Sequence, residues 1–498
     1  MPVVGIDLGT TYSLVGTVND EGLPTLFPDA RQAGQYRTPS VVIAGEGSAL
    51  TGDAAEQWLV EQPESPVARF FKLHMGKPDT VYTDRSGDAW RPEALSALVL
   101  RKVARDAEVA SAGRIDLAVV TVPAQFGDAA RRATKHAALL AGLPDPPLLE
   151  EPVAAALFYG FSEASTERTL FVYDLGGGTF DATLLHATSD GVYTLATDGA
   201  SDIGGKNFDE LIMKTAAAEF LREYRWDPLE EPVAREELRR FATRTKIQLG
   251  TEPLVRRTLM LAGRTVTLVL ARAHFEQQLR PLVERSIRVC QRALESAGLD
   301  WSAVDGLLFT GGSTLVPSVR SLVGRATGLP EDRMLLRQPH QAVAYGAALH
   351  ARKLTTGRDS VLQRVATADL GIRVADPVRR GVHTLHTLIR RNTPLPARVS
   401  ATFYTTRDDQ TRMVFDIAQQ KGSEEPIESL GHFVFGPISH PRRNYPIELE
   451  LAYDIEGLVT VTARDPVRDI RLERVLDDRS QGGAEDLTAM RAQVMRAG

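Results

Sequence analysis

Two short stretches of this sequence hold the residue types from which phosphate chemistry is built. "GIDLGTTYSLVG", Gly5 to Gly16, sets Asp7, Gly9, Thr10 and Thr11 between apolar runs, with Val3, Val4 and Ile6 before the turn and Tyr12, Leu14, Val15 and Val18 after it. Apolar runs around such a turn predict a tight β-hairpin. Gly9 admits backbone torsions closed to other residues, so neighbouring N–H groups can converge on an anion while Asp7 holds a cation. "VYDLGGGTFDATLL" repeats the pattern, with Asp174 in the place of Asp7 and Thr179 on the second turn. One such turn is weak evidence, because Asp, Gly and Thr are common in hairpins. Two facing turns could hold two adjacent phosphate groups, with Asp7 and Asp174 orienting a hydrated divalent cation. No "GxxxxGK[ST]" occurs, so this site would differ from a P-loop.

The elements that must position these turns follow from the hydrophobic periodicity. A turn that recurs predicts a duplicated unit. Helical patterning follows in "DAARRATKHAALLAGL", "NFDELIMKTAAAEFLREY" and "HFEQQLRPLVERSIRVCQRALESAGL", and strands alternating with such helices predict an α/β fold. A third glycine turn, "TGGSTLVPSVRSLV", runs through Gly311 and Gly312 into a helix opened by Pro317. After "AVAYGAALHARKL" comes the polar stretch "TTGRDSVLQRVATAD", then short strands broken by Pro, Gly and Asn to about Leu476, the clearest hairpin turning at Asp454 to Gly457. The expected organisation is an α/β domain over 1–355, a linker over 356–366, a β-sandwich over 367–478, and a tail over 479–498 with at most one short helix.

With 498 residues, 43% hydrophobic and 24% charged, the chain has ordinary globular composition and length for more than one core. A net charge of -6 argues against nucleic acid held mainly through its phosphates. Cys290 is the only cysteine, which excludes an internal disulfide and a cysteine-rich metal site and fits a reducing compartment. No apolar run approaches bilayer-spanning length and the start has no signal-peptide pattern, so no membrane is expected and the expected location is cytoplasmic. His383 and His386 lie at an odd spacing in a strand-like stretch, which points them to opposite faces.

The three turns, their order and the β domain behind them resemble the seventy-kilodalton heat-shock chaperones of the DnaK type, which share the actin and ribonuclease H-like fold. The likeness runs over roughly 3–480 through "GIDLGTTYSLVG", "TVPAQFGDAARRATKHAALLAGL", "EEPVAAALFYG", "DLGGGTFDATLL", "IGGKNFD", "TGGSTLVP" and "AVAYGAAL". It implies ATP/ADP and Mg2+ as cofactors. Gly9, Thr10, Thr11, Tyr12 and the backbone of Gly176, Gly177, Gly178 and Thr179 would bind phosphates. Asp7, Asp174 and Glu151 would hold the magnesium shell. Lys72 would approach the γ-phosphate and attacking water, which Asp181 or Thr179 would position. Gly204, Gly205, Lys246, Gly311, Gly312 and Ser313 would complete the nucleotide contacts. Pro123 and Arg131 would relay nucleotide state to the β domain. From the residues alone, Lys72 is a surface lysine, Pro123 a strand-end proline and Arg131 a helix-surface charge.

The departures from the family are informative. Thr243, Gly250 and Leu315 stand where it has a glutamate, a serine and an arginine around the adenosine, Ile247 is ordinary, and His340 replaces an acid. This implies an aliphatic surface for the base and weaker or less selective ATP binding. In the β domain Ile372, Phe403, Met413 and Phe415 would line a groove for an extended polypeptide, or, for Met413 and Phe415 especially, are simply sandwich core. The apolar linker run is reduced to Val361 and Leu362, which implies weaker interdomain docking. Pro147, Glu150 and Val153 occupy the region of the J-domain surface, and Arg364 replaces a linker acid, so a non-standard J-domain protein and a nucleotide-exchange factor are the expected co-chaperones. The 22 residues after Leu476 leave no room for a helical lid. The function implied is a lidless, divergent bacterial-type chaperone whose slow ATPase controls polypeptide binding; the alternative is a nucleotide-gated adaptor or co-chaperone with little hydrolysis.

Overall fold

The structure, a computed structural model, describes residues 2–45, 47–161, 167–357, 361–376, 379, 381–422, 425–438, 441–455, 457–476 and 483–497. Val3–Asp7 and Tyr12–Val18 form the first hairpin, with Gly5 opposite Gly16. Leu117–Val122 lies parallel to the first strand and Leu148–Glu150 parallel beyond it, while Pro24–Leu26 closes the other edge. The second sheet repeats this plan. Arg168–Leu175 and Phe180–Ala187 make its hairpin, Gly306–Thr310 and Met334–Leu335 add in parallel, and Gly191–Ala200 pairs antiparallel on the far side. The same succession of parallel and antiparallel steps around each hairpin is the duplication read from the repeated turn.

Helices cover both faces of these sheets, which is why "LFVYDL" is apolar almost throughout: Leu170 to Leu175 are all buried. Tyr173 packs on Phe180 with ring centroids 4.6 Å apart inside a core shared with Phe171, Phe208, Phe220 and Phe309. Between the two halves, Glu151–Phe158 and Ala342–Thr356 cross so closely that a Cβ on Gly346 would lie 1.7 Å from the Ala154 carbonyl oxygen. The small residues of "EEPVAAALFYG" and "AVAYGAAL" therefore serve backbone-to-backbone packing of the halves.

Within the polar linker, Val361–Gln363 forms a strand that pairs in parallel with Gly191–Tyr193 and extends the second sheet by a sixth member. Beyond it two four-stranded antiparallel sheets face one another, around Leu449, Leu451, Val461 and Phe433. The C-terminal helix, Gly483–Arg496, packs on the first half of the α/β region, where Met490 and Val494 join the core of Leu95 and Leu98. Gln493 also donates to the Ala89 carbonyl at 3.1 Å. A helix this short is marginal alone and draws its stability from that apolar face.

Candidate functional site

The first two turns meet across a cleft between the halves. The Gly9 amide donates to Ser13 Oγ at 3.2 Å and its carbonyl accepts from Ser40 Oγ at 2.7 Å, which holds the first turn. In the second, the Gly176 amide donates to the Thr179 carbonyl at 3.1 Å, while Gly205 and Lys206 N–H groups donate to the Gly176 and Gly177 carbonyls at 3.0 and 2.8 Å. A Cβ on Gly177 would lie 1.8 Å from Thr11 Oγ1, so only glycine lets the turns approach this closely. Ser313 Oγ, from the third turn, donates to the Gly176 carbonyl at 2.9 Å. Lys246 donates to the Gly205 carbonyl at 3.2 Å and pairs with Asp209 at 2.9 Å. Gly204 leads the helix Gly205–Tyr224 into this cluster, and Gly311 passes beside the Asp174 carboxylate.

Charged groups gather behind the turns. Asp7 ends its strand and accepts from Thr121 Oγ1 at 3.2 Å. Asp174 sits directly across the second hairpin from Asp181. Phe70, at φ 58°, turns the chain into the short helix Phe71–His74 that delivers Lys72, which is buried and bonds Glu151 at 2.6 Å. Burial, then the Glu151 charge, pushes Asp7 and Asp181 up to about 7, and Asp174 moves in the same direction for the same two reasons. Burial works against the Lys72 cation, but Glu151 and Asp7 outweigh it and raise its pKa. The Asp181 Oδ1 atom is buried with no hydrogen-bond partner among the described residues. Buried carboxylates in excess of cations, one with an orphaned oxygen, beside two close-packed glycine turns, fit a magnesium–phosphate group. Among the described residues no group of three His, Cys, Asp or Glu side chains is placed to hold a metal ion directly.

At the nucleoside end, Ile247 and Leu315 are exposed and nothing crowds Gly250. Thr243 donates to Asp209 at 2.9 Å. Asp209 was not foreseen as a site residue; its position after the glycine pair in "IGGKNFD" was the available signal.

A second cluster joins the cleft wall to the sandwich. Arg131, a relay residue by the resemblance and a helix-surface charge without it, is buried and lies 3.5 Å from Glu150, which also binds Arg364 of the linker at 2.9 Å. Arg364 further donates to the Ile455 carbonyl. Tyr453 donates to Asp128, its hydroxyl 2.9 Å from one carboxylate oxygen. Arg391 donates to the Thr197 carbonyl at 2.6 Å, and Asn392 accepts from the Thr197 amide at 3.1 Å. Pro123 is buried at the end of Leu117–Val122. The linker expected to dock weakly is held by its strand pairing and these polar contacts, with Leu362 packed on the neighbouring core. Glu150 and Arg364, expected to face a partner, face each other, so the charge reversal in the linker is balanced inside the chain. Pro147 stays near the strand Leu148–Glu150, and Val153 is buried.

In the sandwich, Ile372, Met413 and Phe415 are buried in the core between the sheets, and Phe403 is half-buried against Phe415 with centroids 5.4 Å apart. His383 and His386 stay apart from any metal-binding cluster among the described residues. No described helix is long and apolar enough to cross a membrane. The family model described as "Hsp70 protein" matches residues 3–497.

Proposed function

The chain belongs to the Hsp70 family, whose members are ATP-dependent chaperones, and we propose that it binds magnesium-ATP between its two hairpin turns, cleaves it slowly and so controls polypeptide binding by its sandwich. The observation that carries this reading is the Lys72–Glu151 pair set among Asp7, Asp174 and Asp181 at the meeting point of the turns. N–H groups of the two turns bind the phosphates, and Asp7 and Asp174 hold the hydrated ion. Bound magnesium would neutralise charge on the phosphates. Lys72 adds a second positive charge beside the γ-phosphate, with Glu151 fixing its position. Asp181, through its unpartnered oxygen, and Thr179 orient the attacking water. Such a reaction needs mainly positioning and charge stabilisation.

Single-turnover cleavage of ATP tests this. Lys72→Ala and Asp174→Asn should slow it by about a hundredfold or more, while nucleotide affinity changes less, because these groups act most strongly on the transition state. Wild type with no magnesium-dependent turnover above Lys72→Ala would refute hydrolysis. That result would favour a nucleotide-gated adaptor or co-chaperone, a reading supported by the burial of Ile372, Met413 and Phe415. If the chaperone reading holds, those side chains become available to an extended apolar segment only after the sandwich opens. A nucleotide-exchange factor and a non-standard J-domain protein are the co-chaperones proposed.

A further inference from the structure

Arg37 is a cation beside the first turn that pairs with no carboxylate among the described residues. It immediately precedes the short strand Thr38–Pro39, which pairs with Tyr12 and Ser13 at the exit of the first turn. Its guanidinium lies 5.1 Å from the centroid of the Tyr12 ring, within range of a cation–π contact. Among the described residues it makes no ion pair, whereas Lys72 and Lys246 are each neutralised by a carboxylate, Glu151 and Asp209.

The charge of Arg37 also acts on His340, beside the third turn. The Gly311 amide donates to the Pro339 carbonyl at 3.0 Å and fixes the segment that carries His340. The His340 ring packs so closely on this turn that a Cβ on Gly312 would lie 2.3 Å from its Cε1 atom. Burial holds the His340 pKa below its ordinary value, and the nearby Arg37 charge adds to that shift. Arg37 therefore lies against Tyr12 and near enough to His340 for its charge to act there.

We propose that Arg37 binds a non-bridging oxygen of the nucleotide's phosphate chain, its planar guanidinium held in place by the Tyr12 ring. The inference rests on the reading of this cleft as the nucleotide site. Three carboxylates and one paired lysine leave the inner site for a metal ion, so charge for the outward part of the phosphate chain has to come from elsewhere, and Arg37 is placed to supply it. A hydrogen bond between ionised groups is the strong kind, and a guanidinium is less hydrated and better oriented than an ammonium.

Titration of ADP, ATP and adenosine into the full chain tests this. Arg37→Ala and the uncharged but similarly long Arg37→Gln should weaken ADP and ATP by about ten- to a hundredfold, with adenosine unchanged within about twofold. Arg37→Lys should fall between, and the affinity of the neutral variants should respond less to salt. If wild type binds ADP and both neutral variants bind it equally well, the assignment of Arg37 fails while the nucleotide site stands. Equal weakening of ADP and adenosine would show a structural role and overturn the proposal. A wild-type chain that binds none of the three would overturn the nucleotide reading itself, and this inference with it.

Discussion

Glu150→Gln should undock the linker without unfolding the chain. Glu150 is 4% exposed and is the carboxylate shared by Arg131 and Arg364. Both arginines reach the same oxygen, at 3.5 and 2.9 Å, which places their charges within about 6 Å of each other. At an effective dielectric near 20, that repulsion is about 3 kcal/mol once the intervening charge is gone. Burial, then the Arg364 charge, already draws the Arg131 pKa down to about 10. Removing one partner of a buried ionic cluster costs about 3–5 kcal/mol, most of it from the charges left behind. Arg364 is the only one of the three on the linker, and its return to water relieves the repulsion. The cost should therefore appear as a shift in docking of about 10²–10³-fold. Amide hydrogen exchange across Gly191–Tyr193 and protease cleavage in the linker would report it, beside a thermal melt. A variant whose linker stays as protected as wild type, or whose melting temperature collapses with the linker still docked, would refute the reasoning.

Docking should also depend on pH through Asp128, which burial raises from 3.8 to about 6 against the opposing effect of the Tyr453 hydrogen bond. The docked state then holds its proton more tightly than an undocked, hydrated Asp128, so this contribution is fully present below about pH 4 and lost as pH rises through about 6, at up to tenfold per unit; linker protection in Asp128→Asn should lose that dependence. Gly177→Ala should force the turns apart, since the new Cβ would overlap Thr11 Oγ1, and the stabilisation of the melt by magnesium-ADP in wild type should vanish in the variant. A generic J-domain protein should not stimulate cleavage, because Arg364 is committed to Glu150 and reverses the linker charge; several-fold stimulation at micromolar concentration would contradict this.

The duplicated hairpins were legible because strand period, glycine turns and repetition agree over a few residues each, as at Asp7 and Asp174. The close packing of the turns could be expected from Gly177, but not the pairing of Lys246 with Asp209, which depends on two helices coming together. Local pattern alone does not place Arg131 for the same reason: whether a helical arginine meets water or Glu150 is decided by what packs over it. The linker strand was missed because Val361–Gln363 has too few residues to show a period and is specified by its neighbour, Gly191–Tyr193. The burial of Met413 and Phe415 exposes a further limit. Alternation places a residue on the inner face of a sheet, yet it cannot say whether that face meets another sheet or a bound segment.

Glu150 and Glu151 give the cleft and the sandwich a common element. They are consecutive, at the junction of Leu148–Glu150 with the helix Glu151–Phe158, and they serve opposite sides: Glu151 holds Lys72 in the cleft, while Glu150 holds Arg131 and the linker's Arg364. A displacement of this junction by nucleotide must act on both pairs, because the backbone between them is a single peptide unit. Adjacency alone does not establish coupling; an energetic test is required. Thermodynamic reciprocity provides it, since whatever factor nucleotide applies to docking, docking must apply to nucleotide affinity. If the junction couples the two, Glu150→Gln should change ADP or ATP affinity although the partners of Glu150 are Arg131, Arg364 and Thr194 rather than Lys72. The sign of that change should identify which nucleotide favours the docked form. Affinities for both nucleotides identical to wild type, in a variant whose linker has demonstrably undocked, would mean that the two sites share a wall without sharing an equilibrium.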